Sequence, residues 1–400
     1  MRARVLRALR AFTMTMAIVL ALSSVPAVVS AAKSVHEALY TEVELLAEAI
    51  TIIQTDYVTE VEPKKLVYGA LKGLVESLDR HSQFLDPNAY SEMQVETKGE
   101  FGGIGLEITL SKDGLVTVVT PMDDTPAAAA GLKPNDKLVK IDGQAGRGLS
   151  LHEAVKRLRG RPGTKVALSV YRETENRMFD VSVPRAVIKI RSIKEAKMVA
   201  EKIGYVRISE FQDNTARDLK KSLETLEQAG PLDGFILDLR NNPGGLLDVA
   251  IDVSGLFLPN GTLVLTTKGR VKSQNLQFDA KEEKPHLNEP MVVLINGGSA
   301  SASEIVAGAL KDQKRAILMG TKSFGKGSVQ TVIPLKDGSA LRLTTSLYYT
   351  PSGKSIHGEG LEPDVVVEDE SAGSAKEKPA EDPVLTRAVD LLKGLKVYKK

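Results

Sequence analysis

Leu237-Asp238-Leu239-Arg240-Asn241-Asn242-Pro243-Gly244-Gly245-Leu246 is the stretch on which the architecture turns. Phe235–Leu239 reads as a buried apolar strand. A Pro-Gly-Gly turn ends it. A helix then runs from Leu246 to Leu256, with Leu246, Ala250, Val253 and Phe257 on one face. Glycines at such a turn let backbone N–H groups come close to a ligand, as an oxyanion hole requires; the plainer reading is a simple strand-to-helix turn. The same alternation continues on both sides. Tyr205–Ser209 is a strand and Ala216–Ala229 a helix. Met291–Ile295 is a second buried strand, followed by a helix at Ile305–Leu310 and strands at Ala316–Met319, Val329–Ile333 and Leu341–Tyr349. Alternation of this kind predicts a layered α/β core over residues 187–368.

Towards the N-terminus the pattern changes. Residues 99–186 carry short strands at Val116–Thr120, Lys137–Ile141, Lys165–Tyr171 and Phe179–Pro184, one helix over Ser150–Arg159, and a short helix at Pro126–Ala130 ending at Gly131. That span fits one small module. Residues 33–98 form a helical region. Val35, Leu39, Val43, Leu46 and Ile50 recur at helical spacing, as do Leu66, Ala70, Leu74 and Leu78 after Pro63. A hairpin of this size buries little alone, so it is expected to pack on the rest of the chain or on a second copy. Asp79–Pro87 reads as a polar turn. Residues 1–32 read as an export signal: Arg2, Arg4, Arg7 and Arg10 precede an apolar core, with cleavage sites near Ala31 and Ala32. The rival is an uncleaved membrane anchor over 11–32. Either way the bulk of the chain is expected outside the cytoplasm, in the periplasm or on the outer face of the inner membrane. Residues 369–400 are a linker and a last amphipathic helix with Leu385, Ala388, Val389 and Leu392.

Composition removes several functions. The 400 residues include no cysteine, which excludes thiol chemistry and disulfide frameworks. The five histidines are scattered with no His-x-x-x-His pair, so no metal is implied. A net charge of +2 and the lack of a basic run with interleaved aromatics give no reason to expect nucleic acid.

Two loops carry chemistry. Asn296-Gly297-Gly298-Ser299-Ala300-Ser301-Ala302-Ser303-Glu304 puts a serine at a helix N-terminus, where free N–H groups favour a developing oxyanion. Ser301 and Glu304 also match a capping box, so a purely structural cap competes with a nucleophile here. Of the three serines, Ser301 alone has a glutamate three residues on. Phe324-Gly325-Lys326-Gly327 offers a lysine between two glycines. A lysine can take a serine proton only when neutral, so burial or a nearby cation must lower its pKa. The bland alternative is a surface lysine in a turn. Gln330 lies four residues beyond, about 13 Å along an extended strand, so a bent chain or a folded-back side chain is needed for it to reach the amine.

These stretches resemble the carboxyl-terminal processing (tail-specific) peptidases. The likeness rests on Ser77-Leu78-Asp79-Arg80-His81-Ser82-Gln83-Phe84-Leu85-Asp86-Pro87, Leu239–Gly245, Gly298–Ile305, Phe324–Gln330 and Thr350–Ile356, in order, and covers roughly residues 35 to 395. The resemblance implies a crotonase/Clp-protease-like α/β protease core with an inserted PDZ domain. It implies Ser301 as nucleophile, Lys326 as base, Gln330 as the residue orienting the lysine, and the Gly245 and Ala302 N–H groups at the oxyanion. It makes 99–186 a PDZ domain that reads substrate C-termini, with Gly103, Ile104, Gly105 and Leu106 as carboxylate loop and Arg159 reporting peptide binding. No cofactor is implied. The partners implied are protein substrates, a second copy of the chain, and a lipoprotein adaptor as a candidate activator. His357 stands where such families often carry glutamine, which invites pairing with Ser301 as a conventional triad. Two rival functions are a PDZ-bearing binding protein with a dead core, against which Ser301, Lys326 and Gln330 argue, and an acyl-CoA enzyme, against which the dyad and the PDZ module argue.

Overall fold

The computed structural model describes residues 39–368 and 382–398, apart from 284 and 287. The export signal, the start of the first helix with Val35, and the linker 369–381 lie outside the described residues. The chain divides into two compact units, Met1–Phe84 and Leu85–Lys400.

The first unit holds α1, residues 39–56, and α2, Pro63–Glu76. Pro63 opens α2, where its missing N–H costs nothing. Leu39, Tyr40, Val43 and Leu46 of α1 are exposed. None of the described helices is long and apolar enough to cross a membrane. The expected turn at Asp79–Pro87 contains a three-residue strand, Gln83–Leu85.

The second unit begins with α3, Pro87–Lys98, capped by the Asp86 carboxylate and ended by Gly99. A two-strand neck follows, Glu100–Gly103 paired antiparallel with Ala186–Lys189. Between them lies a small β domain. Its strands Leu106–Leu110, Val116–Pro121, Lys137–Ile141, Lys165–Arg172 and Arg177–Pro184 pair antiparallel, with Leu106–Leu110 at one edge. Helices α4, Pro126–Ala129, and α5, Leu151–Leu158, complete it. Alternation puts Val116, Val118, Leu138, Ile141, Leu168 and Val170 inside.

The core sheet has six strands in the order Ile193–Ala200, Ile203–Ile208, Gly234–Asp238, Met291–Ile295, Ile317–Gly320 and Val365–Val366. All neighbours after the first pair are parallel. Its central strands are buried on both faces, which is why they read as continuous apolar runs. Val206, Phe235, Leu237 and Val293 face the helices α6, Thr215–Gln228, α7, Leu247–Gly255, and α8, Ala302–Asp312. Tyr205, Ile236, Val292 and Leu294 face α9, Pro383–Tyr398, through Val384, Ala388 and Leu392. A second antiparallel layer contains Leu263–Gly269, Gln277–Asp279, Ser328–Pro334 and Ala340–Tyr349.

The sequence reading missed Ile193–Ala200. It is an edge strand with a mostly exposed, lysine-bearing face, so it lacks the apolar alternation that marks a strand. The loops leaving Gly234–Asp238 and Met291–Ile295 start at the carboxyl ends of neighbouring parallel strands, where open α/β sheets place their ligand crevices.

Candidate active site

Ser299, Ser301 and Ser303 have different fates. The Ser299 hydroxyl is buried and donates to the Leu239 carbonyl at 2.8 Å; that of Ser303 is buried and donates to the Asn242 carbonyl at 2.9 Å. Both bonds tie the serine loop to the Leu239–Gly245 loop. Ser301 faces a cleft of about 320 Å³ and, among the described residues, its hydroxyl donates no hydrogen bond. The Ser301 N–H donates to Glu304 Oε2 at 2.9 Å and the Ser301 side chain turns toward the Glu304 N–H, so the capping box closes while the hydroxyl proton stays unused. Ser301 has φ 55° and ψ −115°, a conformation that costs a side-chain-bearing residue of order 1–3 kcal/mol and persists only where neighbours impose it.

Two buried groups impose it. The Glu304 carboxylate, 0% exposed, also accepts from the Ser323 hydroxyl at 2.5 Å, the Gly325 N–H at 2.7 Å and the Lys326 N–H at 2.9 Å. One carboxylate thus fixes the serine and the lysine loop together. Tyr348, 2% exposed, shares its one hydroxyl proton between the Ser301 carbonyl, 3.1 Å away, and the Lys326 carbonyl. Burial, with the Glu304 charge nearby, pushes the Tyr348 phenol well above its ordinary range, so it stays a donor. The sequence flagged Glu304 only as half of a cap and did not flag Tyr348 at all. Nothing in an alternating apolar strand distinguishes that tyrosine from a core residue.

Lys326 lines the same cleft. Burial lowers its pKa, the Arg342 guanidinium lowers it further, and Glu304 opposes both. Arg342 is a cation of the kind the sequence argument called for, but it comes from the neighbouring strand in register with Val332, which no local motif reveals.

The Pro-Gly-Gly turn closes the other side. A Cβ at Gly244, φ 105°, would lie 2.7 Å from the Ser301 Cβ and 2.8 Å from the Ala302 nitrogen. One at Gly245, φ 144°, would lie 2.1 Å from the Phe211 carbonyl oxygen. Only glycine permits this approach. Among the described residues, neither the Gly245 nor the Ala302 N–H has an acceptor. Both residues line the cleft beside Ser301.

Gln330 lies in the cleft too, and the pairing of Ser328–Pro334 with Ala340–Tyr349 shifts register between Val329 and Gln330, with the extra residue, Thr345, on the partner strand. Its amide nitrogen donates to Thr344 Oγ1 at 2.7 Å, and its Oε1 is buried without a partner among the described residues. Among the described residues no hydrogen bond joins Lys326 Nζ to Gln330 or to Ser301, as is common before substrate arrives. His357 is exposed and does not line the cleft, and among the described residues no hydrogen bond joins it to Ser301.

In the small domain, Phe101, Gly103, Ile104, Gly105, Leu106 and Arg159 border a cavity of about 90 Å³. The Ile104 and Gly105 N–H groups have no acceptor among the described residues. Arg159 follows the last turn of α5 and lies 4.8 Å above the ring of Phe101, a residue of the neck. His152 is exposed, with Nδ1 3.2 Å from Glu92 Oε1 of α3, and takes no part in the cavity.

The family model of peptidase family S41 matches residues 202–367, that of the PDZ domain residues 102–183, and that of the activating protease CtpB N-terminal domain residues 12–89. A carboxy-terminal-processing protease of Bartonella bacilliformis is 46% identical over 332 residues, 82% of this chain and 76% of its own. The chain belongs to peptidase family S41. It is a carboxy-terminal processing serine peptidase with an α/β core and an inserted PDZ domain. A carboxyl-terminal-processing protease of Synechocystis sp. is 38% identical over 82% of this chain and 77% of its own. The solved structure of a photosystem II D1 C-terminal processing protease aligns over 82% of this chain and 93% of that one, at 29% identity and a TM-score of 0.47.

Proposed function

We propose that this S41 peptidase cuts through a Ser301–Lys326 dyad and an acyl-enzyme. Neutral Lys326 takes the proton as Ser301 Oγ attacks the substrate carbonyl carbon. The oxygen that becomes negative accepts from the Gly245 and Ala302 N–H groups. The intermediate collapses, the C–N bond breaks, and the lysine ammonium returns its proton to the leaving amine. Water then releases the acyl group by the same path, with Lys326 again as base. Gln330 Oε1 aligns the amine. The observation that carries this reading is the division among the serines: Ser299 and Ser303 spend their hydroxyls on carbonyls, and Ser301 keeps its own in the cleft that Lys326 lines.

Substrates enter by their C-termini. The free N–H groups of Ile104 and Gly105 suit a terminal carboxylate, and the edge strand Leu106–Leu110 suits strand addition. Arg159, stacked on the neck, passes the signal to the core. The exposed apolar residues of α1 favour a homo-oligomer, with a lipoprotein adaptor as a candidate activator.

Ser301→Ala is expected to remove cleavage of a protein substrate while the variant melts close to wild type, since the hydroxyl contributes no more to stability than a helix cap worth about 1 kcal/mol. Activity kept in Ser301→Ala, or a Ser299→Ala or Ser303→Ala variant that folds normally yet is dead, moves the nucleophile elsewhere. The N-terminal region fits export, and mature envelope protein beginning near Ala32 is the expected product. Membrane-bound protein with Met1 intact would make residues 11–32 an anchor.

A further inference from the structure

We propose that Asp382, just ahead of the C-terminal helix α9, is a positioning residue for the peptidase reaction, holding through Arg240 the loop that carries Gly244 and Gly245 against Ser301. Arg240 is 9% exposed and follows the strand Gly234–Asp238. Its guanidinium folds back onto Asp238, with Nε 3.0 Å from Oδ1 and Nη2 2.6 Å from Oδ2. The opposite side of the same group is taken by Asp382, with Nη1 3.0 Å from Oδ1 and Nη2 2.6 Å from Oδ2. Asp238, 0% exposed, also accepts the Arg240 N–H at 2.9 Å and the Tyr205 hydroxyl at 2.8 Å. The side chain is therefore clamped between two carboxylates from two distant parts of the chain, and a bidentate pair of this kind fixes orientation as well as charge.

The clamp acts where the loop turns toward Ser301. Two residues past Arg240, the Asn242 carbonyl accepts the Ala300 N–H at 3.0 Å and the Ser303 hydroxyl at 2.9 Å. Gly244 then backs onto Ser301 itself. Burial works against the charge of Asp382, but the hydrogen bonds from Arg240 and from the Leu385 and Val384 N–H groups, with the Arg240 charge, together outweigh it and hold that carboxyl below its ordinary range. Asp382 has a second task. Its Oδ1 accepts the Val384 and Leu385 N–H groups at 3.1 and 3.0 Å, which caps α9. The helix lies on the face of the sheet opposite α6, α7 and α8, so a single side chain joins its docking to the geometry of the oxyanion loop.

The two tasks can be separated, because asparagine caps a helix about as well as aspartate but brings no charge and one acceptor fewer. The inference rests on the reading of Gly245 and Ser301 given above. In the full-length enzyme, Asp382→Asn is expected to lower kcat about tenfold or more, the scale of a small misplacement at a reacting centre. KM for a peptide substrate and the melting temperature should stay near wild type. Leu392→Ala removes a buried contact of α9 against Gly234 without touching Arg240. It should lower the melting temperature and leave kcat of the folded enzyme unchanged. Wild-type kcat in Asp382→Asn overturns the inference, as does a kcat loss in Leu392→Ala equal to that in Asp382→Asn. If Ser301→Ala is dead while Asp382→Asn is fully active, only this inference falls; an active Ser301→Ala removes the reading beneath it.

Discussion

The peptidase cleft and the small domain each present backbone N–H groups without acceptors among the described residues, and the two cradles are supported in opposite ways. Around Gly245 and Ala302 the supports are buried and polar. Glu304 takes four donors, Tyr348 bridges the serine and lysine loops, and Asn242, Ser299 and Ser303 tie the two strand-end loops together. Around Ile104 and Gly105 the supports are few. The Gly105 carbonyl accepts from Met122 and Thr125, and the apolar wall reaches the neck through Arg159 over Phe101. A reacting carbonyl must be met at a fixed place, and buried, satisfied networks rigidify. A peptide terminus must be bound and released, which weaker contacts allow. Substitutions should therefore be severe in the first region and mild in the second.

The largest effect belongs to the lysine. Lys326→Arg keeps the charge but cannot give it up, because guanidinium stays protonated. It is expected to be as inactive as Lys326→Ala, whereas His357→Ala keeps most of the activity. In wild type the rate should rise with pH along one ionisation. Burial depresses the Lys326 pKa and Arg342 adds to that, so the rise should come below the 10.5 of a free lysine. Arg342→Met removes a cation that favours the neutral amine, so it should move the rise to higher pH. A near wild-type rate in Lys326→Arg, or loss of both activity and pH step in His357→Ala, would show that another group is the base.

Glu304→Gln comes next. The carboxylate accepts from the Ser301, Gly325 and Lys326 N–H groups and from the Ser323 hydroxyl. The amide has only one oxygen to offer them. Stranding two buried donors costs about 2–5 kcal/mol, to be read from chemical denaturation. Loosening of the nucleophile should lower kcat about a hundredfold. The sign of the pH effect is fixed separately. Glu304 raises the Lys326 pKa, so its neutralisation should shift the pH rise of the remaining activity downward. Stability and pH profile both equal to wild type would mean that the four bonds do not bear on the site.

The comparison also explains what could be read in advance. The alternation of buried strands and amphipathic helices was visible because parallel strands such as Gly234–Asp238 and Met291–Ile295 are apolar on both faces. Ser301, Lys326, Gly245 and the Ile104–Gly105 loop could be picked out because small residues mark places where backbone must approach a partner. Tyr348, Arg342 and Asp382 could not. Each acts on the site from another strand or from the far end of the chain, and their spacing in sequence carries no trace of the pairing. Gln330 lies between these cases. Its position was legible, but the register shift beside it belongs to the pairing with Ala340–Tyr349. The edge strand Ile193–Ala200 was illegible for the opposite reason, since exposure strips it of apolar periodicity.

The smallest effect is expected at Arg159, and it tests the weaker cradle directly. A half-buried cation–π contact such as that between Arg159 and Phe101 is worth about 1 kcal/mol, hence about fivefold in a rate that depends on it. Arg159→Ala should therefore slow cleavage of a substrate with a free apolar C-terminus by that factor. Cleavage of the same substrate with its C-terminus amidated does not use the Ile104–Gly105 loop and should change little. Phe101 belongs to the neck strand paired with Ala186–Lys189, so Phe101→Leu, which removes the ring face but keeps an apolar side chain, should reproduce the Arg159→Ala effect. The double variant should be no worse than either single one, because both remove one contact. Equal rates on free and amidated substrates, before and after mutation, would take Arg159 out of substrate sensing. A loss as large as that of Glu304→Gln would instead mean that the small domain is as rigidly built as the cleft, and that the contrast between the two cradles is wrong.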